Sequence, residues 1–435
     1  MPKKFTQKQI IIIAGGVVLV IVVFFLFSIG GAAKKQSQQK ITLAVWGTEP
    51  ESVFQDLSSS YSSPGVTVAY TQIDPSEYEN KVLAALAAGN GPDVFEVGNR
   101  DLPKWRSALA PMPTSTFAAQ FDMTKLESYF PSVVESDFVY NNQIYALPLS
   151  IDTLAMIYNR DYFDSVGIAN LPTNWDDFES DILKLRELNS QGQIVRAGTA
   201  LGGSESSIAD APDILSLFML QNGTIMTNND HSVAEFANQS NGNSEPGISA
   251  FNFYLQFADA SSPYYTWNDS MGDSIQSFIQ GKTAIIFDYQ STIATIKAKA
   301  PFLNIGIAPM PQPKNATVAV NYPDYHGLAA SKQGNISAAW NFILYLTTYT
   351  EGENIYLKDT GFPPAQRVAI TTAESDPNLD VFALQALSAR SWYESDSQKI
   401  DGIFNFAIQS ALSGLVAPEQ AILVAQSSVS VLMSK

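Results

Sequence analysis

Apolar and polar positions follow two rhythms along this chain, and the switches between them outline its elements. Ile41–Val45 (ITLAV) is apolar and β-branched and ends at Trp46-Gly47, which predicts a buried strand. Val66–Tyr70 predicts a second strand, with a helix from about Glu51 to Tyr61 between the two. Tyr78, Val82 and Leu86 recur at helical spacing. Ser76 and Glu79 form a capping-box pattern ahead of them, and Gly89 is a stop signal. Asp93–Val97 (DVFEV) then predicts a short buried strand. Strands and helices in this alternation predict an α/β fold with a parallel sheet and crossover helices.

Farther along, Asn174 precedes a helix that carries Trp175, Phe178, Ile182, Leu185 and Leu188 on one face. Other helices are predicted over 211–222, 274–280, 336–347, 400–412 and 418–433. The last has Pro418 in its first turn, where a missing N–H is harmless. Strands are predicted at 284–287 and 304–308, and Pro309, Pro311 and Pro313 mark a loop or crossing segment. The chain shows no internal repeat and no block of like charge.

The amino terminus follows neither rhythm. Ile10–Ala33 is apolar or glycine apart from Ser28. At ~1.5 Å per residue such a run crosses a ~30 Å hydrocarbon layer with some tilt. The expectation is a cytoplasmic leader over 1–9, a transmembrane helix over 10–33 and a polar tether over 34–40 (KKQSQQK), with residues 41–435 on the extracellular or periplasmic side of the cell membrane. The rival is a cleaved signal peptide, with Gly31-Ala32-Ala33 near the cut. The apolar run exceeds the ~7–15 residues of an ordinary signal core, which favours the anchor.

Composition narrows the function. The 435 residues are 46% hydrophobic, 15% charged and 11% aromatic, which excludes a disordered chain. Six of the 25 Lys and Arg fall in residues 1–40, which hold no acid, so the remaining body carries −23. A body that acidic is repelled by phosphate backbones, so no nucleic-acid partner is expected. With no cysteine there is no disulfide, thiolate metal site or cysteine nucleophile. Only His231 and His326 are present, which excludes a His-rich metal site. No Ser sits in a G-x-S-x-G elbow. Gly281-Lys282-Thr283 lacks the upstream glycine of a P-loop, and Gly89-Asn90-Gly91 lacks the third glycine of a dinucleotide fingerprint. Asp376-Pro-Asn378-Leu-Asp380 lacks the turn glycine and distal Glu of a calcium loop. All three read as turn chemistry, and no cofactor, metal or catalytic residue is assigned.

Several ordered segments together resemble the extracellular solute-binding proteins of ABC importers, of the sugar type that includes maltodextrin-binding proteins. They are Gly91-Pro-Asp-Val94, Asn142-Gln-Ile-Tyr-Ala-Leu-Pro148, Leu154-Ala-Met-Ile-Tyr-Asn-Arg-Asp161, Leu171-Pro-Thr-Asn-Trp-Asp-Asp-Phe178, Phe278-Ile-Gln-Gly-Lys-Thr-Ala-Ile285, Gly306-Ile-Ala-Pro-Met-Pro311 and Thr360-Gly-Phe-Pro-Pro364. The resemblance implies a two-lobed, type II periplasmic-binding-protein-like fold with a hinge, and a ligand in the cleft between the lobes. It implies a first lobe from 41–149 with 308–331 and a second from 150–307 with 332–435. Crossings are expected at Pro148–Asp152 and Ala308–Pro313. The family commonly uses a lipidated Cys as its anchor, and this chain departs from that habit.

Ligands of open α/β sheets gather at the carboxyl ends of strands. That nominates Trp46 and Glu49 after the first strand, and Asn99 and Arg100 after DVFEV. By resemblance, Asp152 stands where maltodextrin-type proteins carry a cleft-facing acid. Asp288 and Tyr289 follow a second-lobe strand where the family often has Trp. Trp267 and Phe362 are further aromatic candidates, and Asp401 is a polar one. Aromatic rings cover the apolar faces of a sugar, and carboxylates bond its hydroxyl rim. The expected function is a membrane-tethered, monomeric, non-enzymatic receptor that delivers a small solute, a carbohydrate first, to an ABC permease. A polyamine, peptide or other cationic solute is the alternative, and a glycosidase is the reading from another class.

Overall fold

The computed structural model describes residues 40–239, 244–373 and 379–434. The 10–33 span, most of the 34–40 tether and the Asp376-Pro-Asn378 turn lie outside them. Among the described residues no helix is long and apolar enough to cross a membrane.

The described residues fall into two compact units. In the smaller, which includes Ile41 and Ser63–Thr67, the Ile41 amide donates to the Gly65 carbonyl at 2.8 Å. Gly65 closes that turn with φ 79°, a left-handed conformation that glycine adopts without a Cβ clash. The larger unit takes in Thr42–Ser62 and the chain from Val68 onward.

Eight strands build the two main sheets: β1 (Ile41–Gly47), β2 (Val66–Gln72), β3 (Val94–Gly98), β4 (Ala146–Pro148), β5 (Ala155–Asn159), β6 (Ile285–Asp288), β7 (Ile305–Ala308) and β8 (His326–Ala330). The first sheet has the order β2-β1-β3-β8-β4. The predicted parallel pairing holds for β1 and β3, with Trp46 opposite Phe95. The sheet is nonetheless mixed, because β8 returns from late in the chain and lies antiparallel to both β3 and β4. The second sheet, β6-β5-β7, is antiparallel throughout. Two-residue strands Asp152–Thr153 and Pro323–Asp324 pair where the chain passes between the sheets.

Helix ends follow local chemistry. The helix Pro75–Ala87 is capped by Asp74, whose Oδ1 accepts the Ser76 amide at 2.9 Å, rather than by the expected Ser76–Glu79 box. Pro75, with its fixed φ, sets the start one step earlier. Asn174 caps Trp175–Leu185 as expected. Leu188 leaves that helix face, because Glu187–Leu188 turns into a short strand against Ile194–Arg196.

Each sheet has its own core. Around the second sheet, Trp175 contacts Phe178, Phe218, Phe253 and Phe287 at ring separations of 4.8–5.8 Å. Around the first, the helix Ile336–Thr348 packs on β8 and β4, and Thr350–Thr360 packs on Glu51–Ser60. Trp340 Nε1 donates to the Ala110 carbonyl at 3.1 Å, and the Tyr345 hydroxyl to that of Ser60 at 2.9 Å. Residues 336–360 therefore belong with the first sheet, not with the second as the 332–435 boundary supposed. An apolar helix face says that it is covered, not by which sheet.

Candidate functional site

The carboxyl ends of β1 and β3 open onto two cavities, with Arg100 beside the second. The first, about 220 Å³, is lined by Thr48, Glu49, Glu96, Ser150, Asp152, Asp324, His326, Tyr356 and Phe362, among others. Glu96 accepts both the amide and the hydroxyl of Thr48 at 2.9 Å. Gly47 is needed here, since a Cβ would collide with the Glu96 carboxylate. The Tyr356 hydroxyl donates to Glu49 Oε1 at 2.8 Å. Burial raises the pKa of both Glu49 and Glu96, and the His326 imidazole works against that rise. Phe362 lies 6.4 Å from Tyr356, ring to ring.

Asp152 lines the same cavity, but its oxygens are already engaged. They accept the amides of Thr153 at 2.8 Å, Gln290 at 3.0 Å and Ser291 at 3.2 Å, which ties the crossing segment to the first turn of Ser291–Lys299. Burial pushes its pKa up to about 7 against those bonds. Asp152→Ala is therefore expected to reduce folding stability by about 1–3 kcal/mol besides altering the cavity. Urea denaturation of the full-length chain checks this, and an unchanged midpoint would remove the structural role.

Arg100 follows β3 as predicted. Its guanidinium meets Asp401 at 2.9 and 3.2 Å, Glu394 at 3.3 Å and Asp213 at 3.4 Å. Asp213 lies on the helix Ala211–Gln221, Asp401 on the helix Ser397–Leu412, and Glu394 in the loop that precedes the latter. The Glu394 side chain has no exposed surface and also accepts the Tyr322 hydroxyl at 3.3 Å. Tyr289 donates to Asp213 Oδ2 at 2.7 Å, so its ring is buried and holds that acid in place. Asp288 is buried, accepts the Thr292 hydroxyl at 2.6 Å, and shares a hydrogen bond with Asp210. Burial raises the pKa of every acid in this group for which a shift is resolved: Asp213 and Asp288 to about 6, with Asp210 and Glu394 well above their ordinary range.

The second cavity, about 520 Å³, is lined by Asn99 and Arg100 together with Arg106, Asp137, Tyr140, Thr224, His231, Trp392 and Tyr393, among others. Asn99 Nδ2 donates to Asp137 at 3.3 Å, and Tyr325 donates to the same carboxylate at 2.7 Å.

The nominated residues thus separate. Glu49, Asp152 and Phe362 line the first cavity, and Asn99 and Arg100 the second. Asp401 reaches Arg100. Trp46 is half-buried on β1 and lines neither cavity. Trp267 is a core residue rather than a cleft aromatic, with its whole surface covered and Nε1 bonded to Ser207 at 3.1 Å. Asp288 and Tyr289 sit behind the site as buried supports. Sequence reasoning missed His326, Tyr356, Asp213, Trp392 and Glu394. The Trp392-Tyr393-Glu394 run was the one visible signal among them.

Residues 47–352 match the family model described as bacterial extracellular solute-binding protein. The chain belongs to this family. A Brucella abortus protein named only for a binding role is 23% identical over 356 residues, covering 80% of this chain and 81% of the relative. The maltotriose-binding protein of Pyrococcus abyssi is 22% identical over 334 residues, 75% of this chain and 65% of the relative. Among solved structures, the sugar-binding protein MalE of Xanthomonas citri matches with a TM-score of 0.76 at 18% identity, covering 91% of this chain and 98% of its own. That likeness establishes the two-lobed α/β fold of an extracellular solute-binding protein.

Proposed function

We propose that this solute-binding protein is anchored by residues 10–33 and captures a carbohydrate between its two halves for delivery to an ABC importer. The observation that carries the ligand class is the first cavity, where Tyr356 and Phe362 stand beside carboxylates and hydroxyls. Rings cover the C–H faces of a sugar, and carboxylates accept its hydroxyls with charge-assisted strength. The names of the maltotriose-binding and MalE relatives support the same class. Capture is a hinge motion, with contacts from both halves completed only on closure, and the bound solute leaves unaltered.

One observation favours a second reading. Glu49, Glu96, Asp152 and Asp324 line the first cavity, and among the described residues no Lys or Arg does. That lining suits a polyamine or another cation. A thermal-shift screen of the full-length chain against neutral saccharides, polyamines and peptides separates the two, because a ligand bound to the native state raises the midpoint. A rise of several degrees is expected with a saccharide. A rise with cations alone would overturn the carbohydrate reading, and turnover of a chromogenic glycoside would overturn the receptor reading.

A further inference from the structure

The wall of the first cavity carries negative charge that its own fold leaves unmatched. Glu96 is 6% exposed, and its Oε2 is taken by the amide and hydroxyl of Thr48 at 2.9 Å. Among the described residues its Oε1 accepts no hydrogen bond, and no Lys, Arg or His nitrogen lies within ion-pair distance of it. The unpartnered side-chain atoms sealed from solvent among those residues are Thr224 Oγ1, Gln290 Oε1, Trp392 Nε1 and Ser395 Oγ. Glu96 Oε1 is not one of them, so it keeps accessible surface, and the cavity that its side chain lines is the first. Polar groups this deeply buried are nearly always bonded in native proteins. An ionised carboxylate only accepts, so the partner missing from Oε1 is a donor.

Glu49 adds a second open acceptor. Its Oε1 takes the Tyr356 hydroxyl at 2.8 Å, and its Oε2 takes no hydrogen bond among the described residues. Thr48, the residue before it, is the one bonded to Glu96, which brings the two acids to the same turn. Among the described residues His326 is the one base in the lining. It shares a sheet face with Glu96, since His326 pairs with Gly98 and Leu328 with Glu96, yet it makes no ion pair with either acid. The rest of the wall suits a sugar ring. Phe362 stands 6.4 Å from Tyr356, ring to ring, and the Ser291 hydroxyl makes no hydrogen bond among the described residues, its amide alone being engaged by Asp152.

We propose that the first cavity takes an amino sugar, with its protonated nitrogen at Glu96 Oε1 and Glu49 Oε2 and its ring against Phe362 and Tyr356. This rests on the carbohydrate reading and adds which carbohydrate. An ammonium brings three donors and a positive charge, whereas a hydroxyl brings one donor and no charge. Hydrogen bonds to an ionised partner are about twice as strong as neutral ones, so the two open oxygens discriminate between amine and hydroxyl at the same ring carbon.

The test is calorimetric titration of the full-length chain with glucosamine, galactosamine and mannosamine, each beside its neutral parent hexose and its N-acetyl derivative, and with a maltodextrin and spermidine. The N-acetyl derivative keeps the ring and the nitrogen but loses the charge. One amino sugar is expected to bind ~10-fold or more tightly than both its parent and its N-acetyl form. Glu96→Gln removes the charge at nearly constant shape and is expected to shrink that preference by ~10-fold, toward parity. Glu49→Gln, which keeps an oxygen for Tyr356, should shrink it in the same direction, so that a folding defect in one variant does not decide the outcome. If neutral saccharides bind as well as the amino sugars, or if both well-folded variants keep the wild-type preference, the amino-sugar assignment is overturned while the carbohydrate reading stands. If no saccharide binds, with or without binding of spermidine, both are overturned.

Discussion

The protein is expected to be more stable at pH 5 than at pH 8. Five carboxyls support this. Burial raises Asp137, Asp152 and Glu353 to about 7, and Asp213 and Asp288 to about 6, from ordinary values of 3.8 for Asp and 4.5 for Glu. A group with a higher pKa folded than unfolded binds more protons folded. Its contribution is fully present below the unfolded value and disappears as pH rises through the folded one. The window is therefore pH ~4 to ~7, and each proton held only by the native state gives a slope of about 1.4 kcal/mol per pH unit. Asp74, Asp230 and Asp396 shift downward instead, so their influence lies in more acid solution. The net charge of −17 acts in the same direction as the raised group, because neutralising carboxylates relieves self-repulsion. Urea midpoints at pH 5, 6, 7 and 8 should fall in that order. A rising series would mean that these acids are ionised in the folded protein. Asp137→Asn should flatten the series, since an amide replaces a protonated carboxyl.

Removing the Arg100 charge should have the largest effect of any single substitution at the site. With Arg100→Met, Glu394 has no cation within ion-pair distance among the described residues and no exposed side-chain surface, while Asp213 and Asp401 lose the partner they share. Breaking a buried pair from one side typically costs ~3–5 kcal/mol. The loss should be greatest near pH 8 and shrink at pH 5, where Glu394 and Asp213 take up protons. The double variant Arg100→Met with Glu394→Gln should recover part of it. A single variant as stable as the parent at pH 8 would show that these acids do not depend on the guanidinium.

How much of this was legible in the sequence depended on range. β1, β3 and the 174–185 helix were legible because their apolar spacing and caps are local. Arg100 could be nominated from its place after β3, but its partners Glu394 and Asp401 lie 294 and 301 residues away, with no periodicity linking them. Trp267 misled for the opposite reason. Its composition suits a sugar platform, and only tertiary packing reveals that its surface is fully covered. Asp152 was nominated from its place after Pro148, while its engagement by the Gln290 and Ser291 amides depends on a helix 139 residues on. The allocation of 336–360 failed because an amphipathic helix does not announce its sheet.

The path of β8 has a consequence for biosynthesis. This strand sits between β3 and β4 and pairs with both. A nascent chain emerging from the ribosome therefore cannot complete its first sheet until residues 326–330 have been made, after the strands of the second sheet. Through most of translation the amino-terminal half lacks the strand that joins β3 to β4. Until then β3 and β4 each lack the neighbour that residues 326–330 supply on arrival.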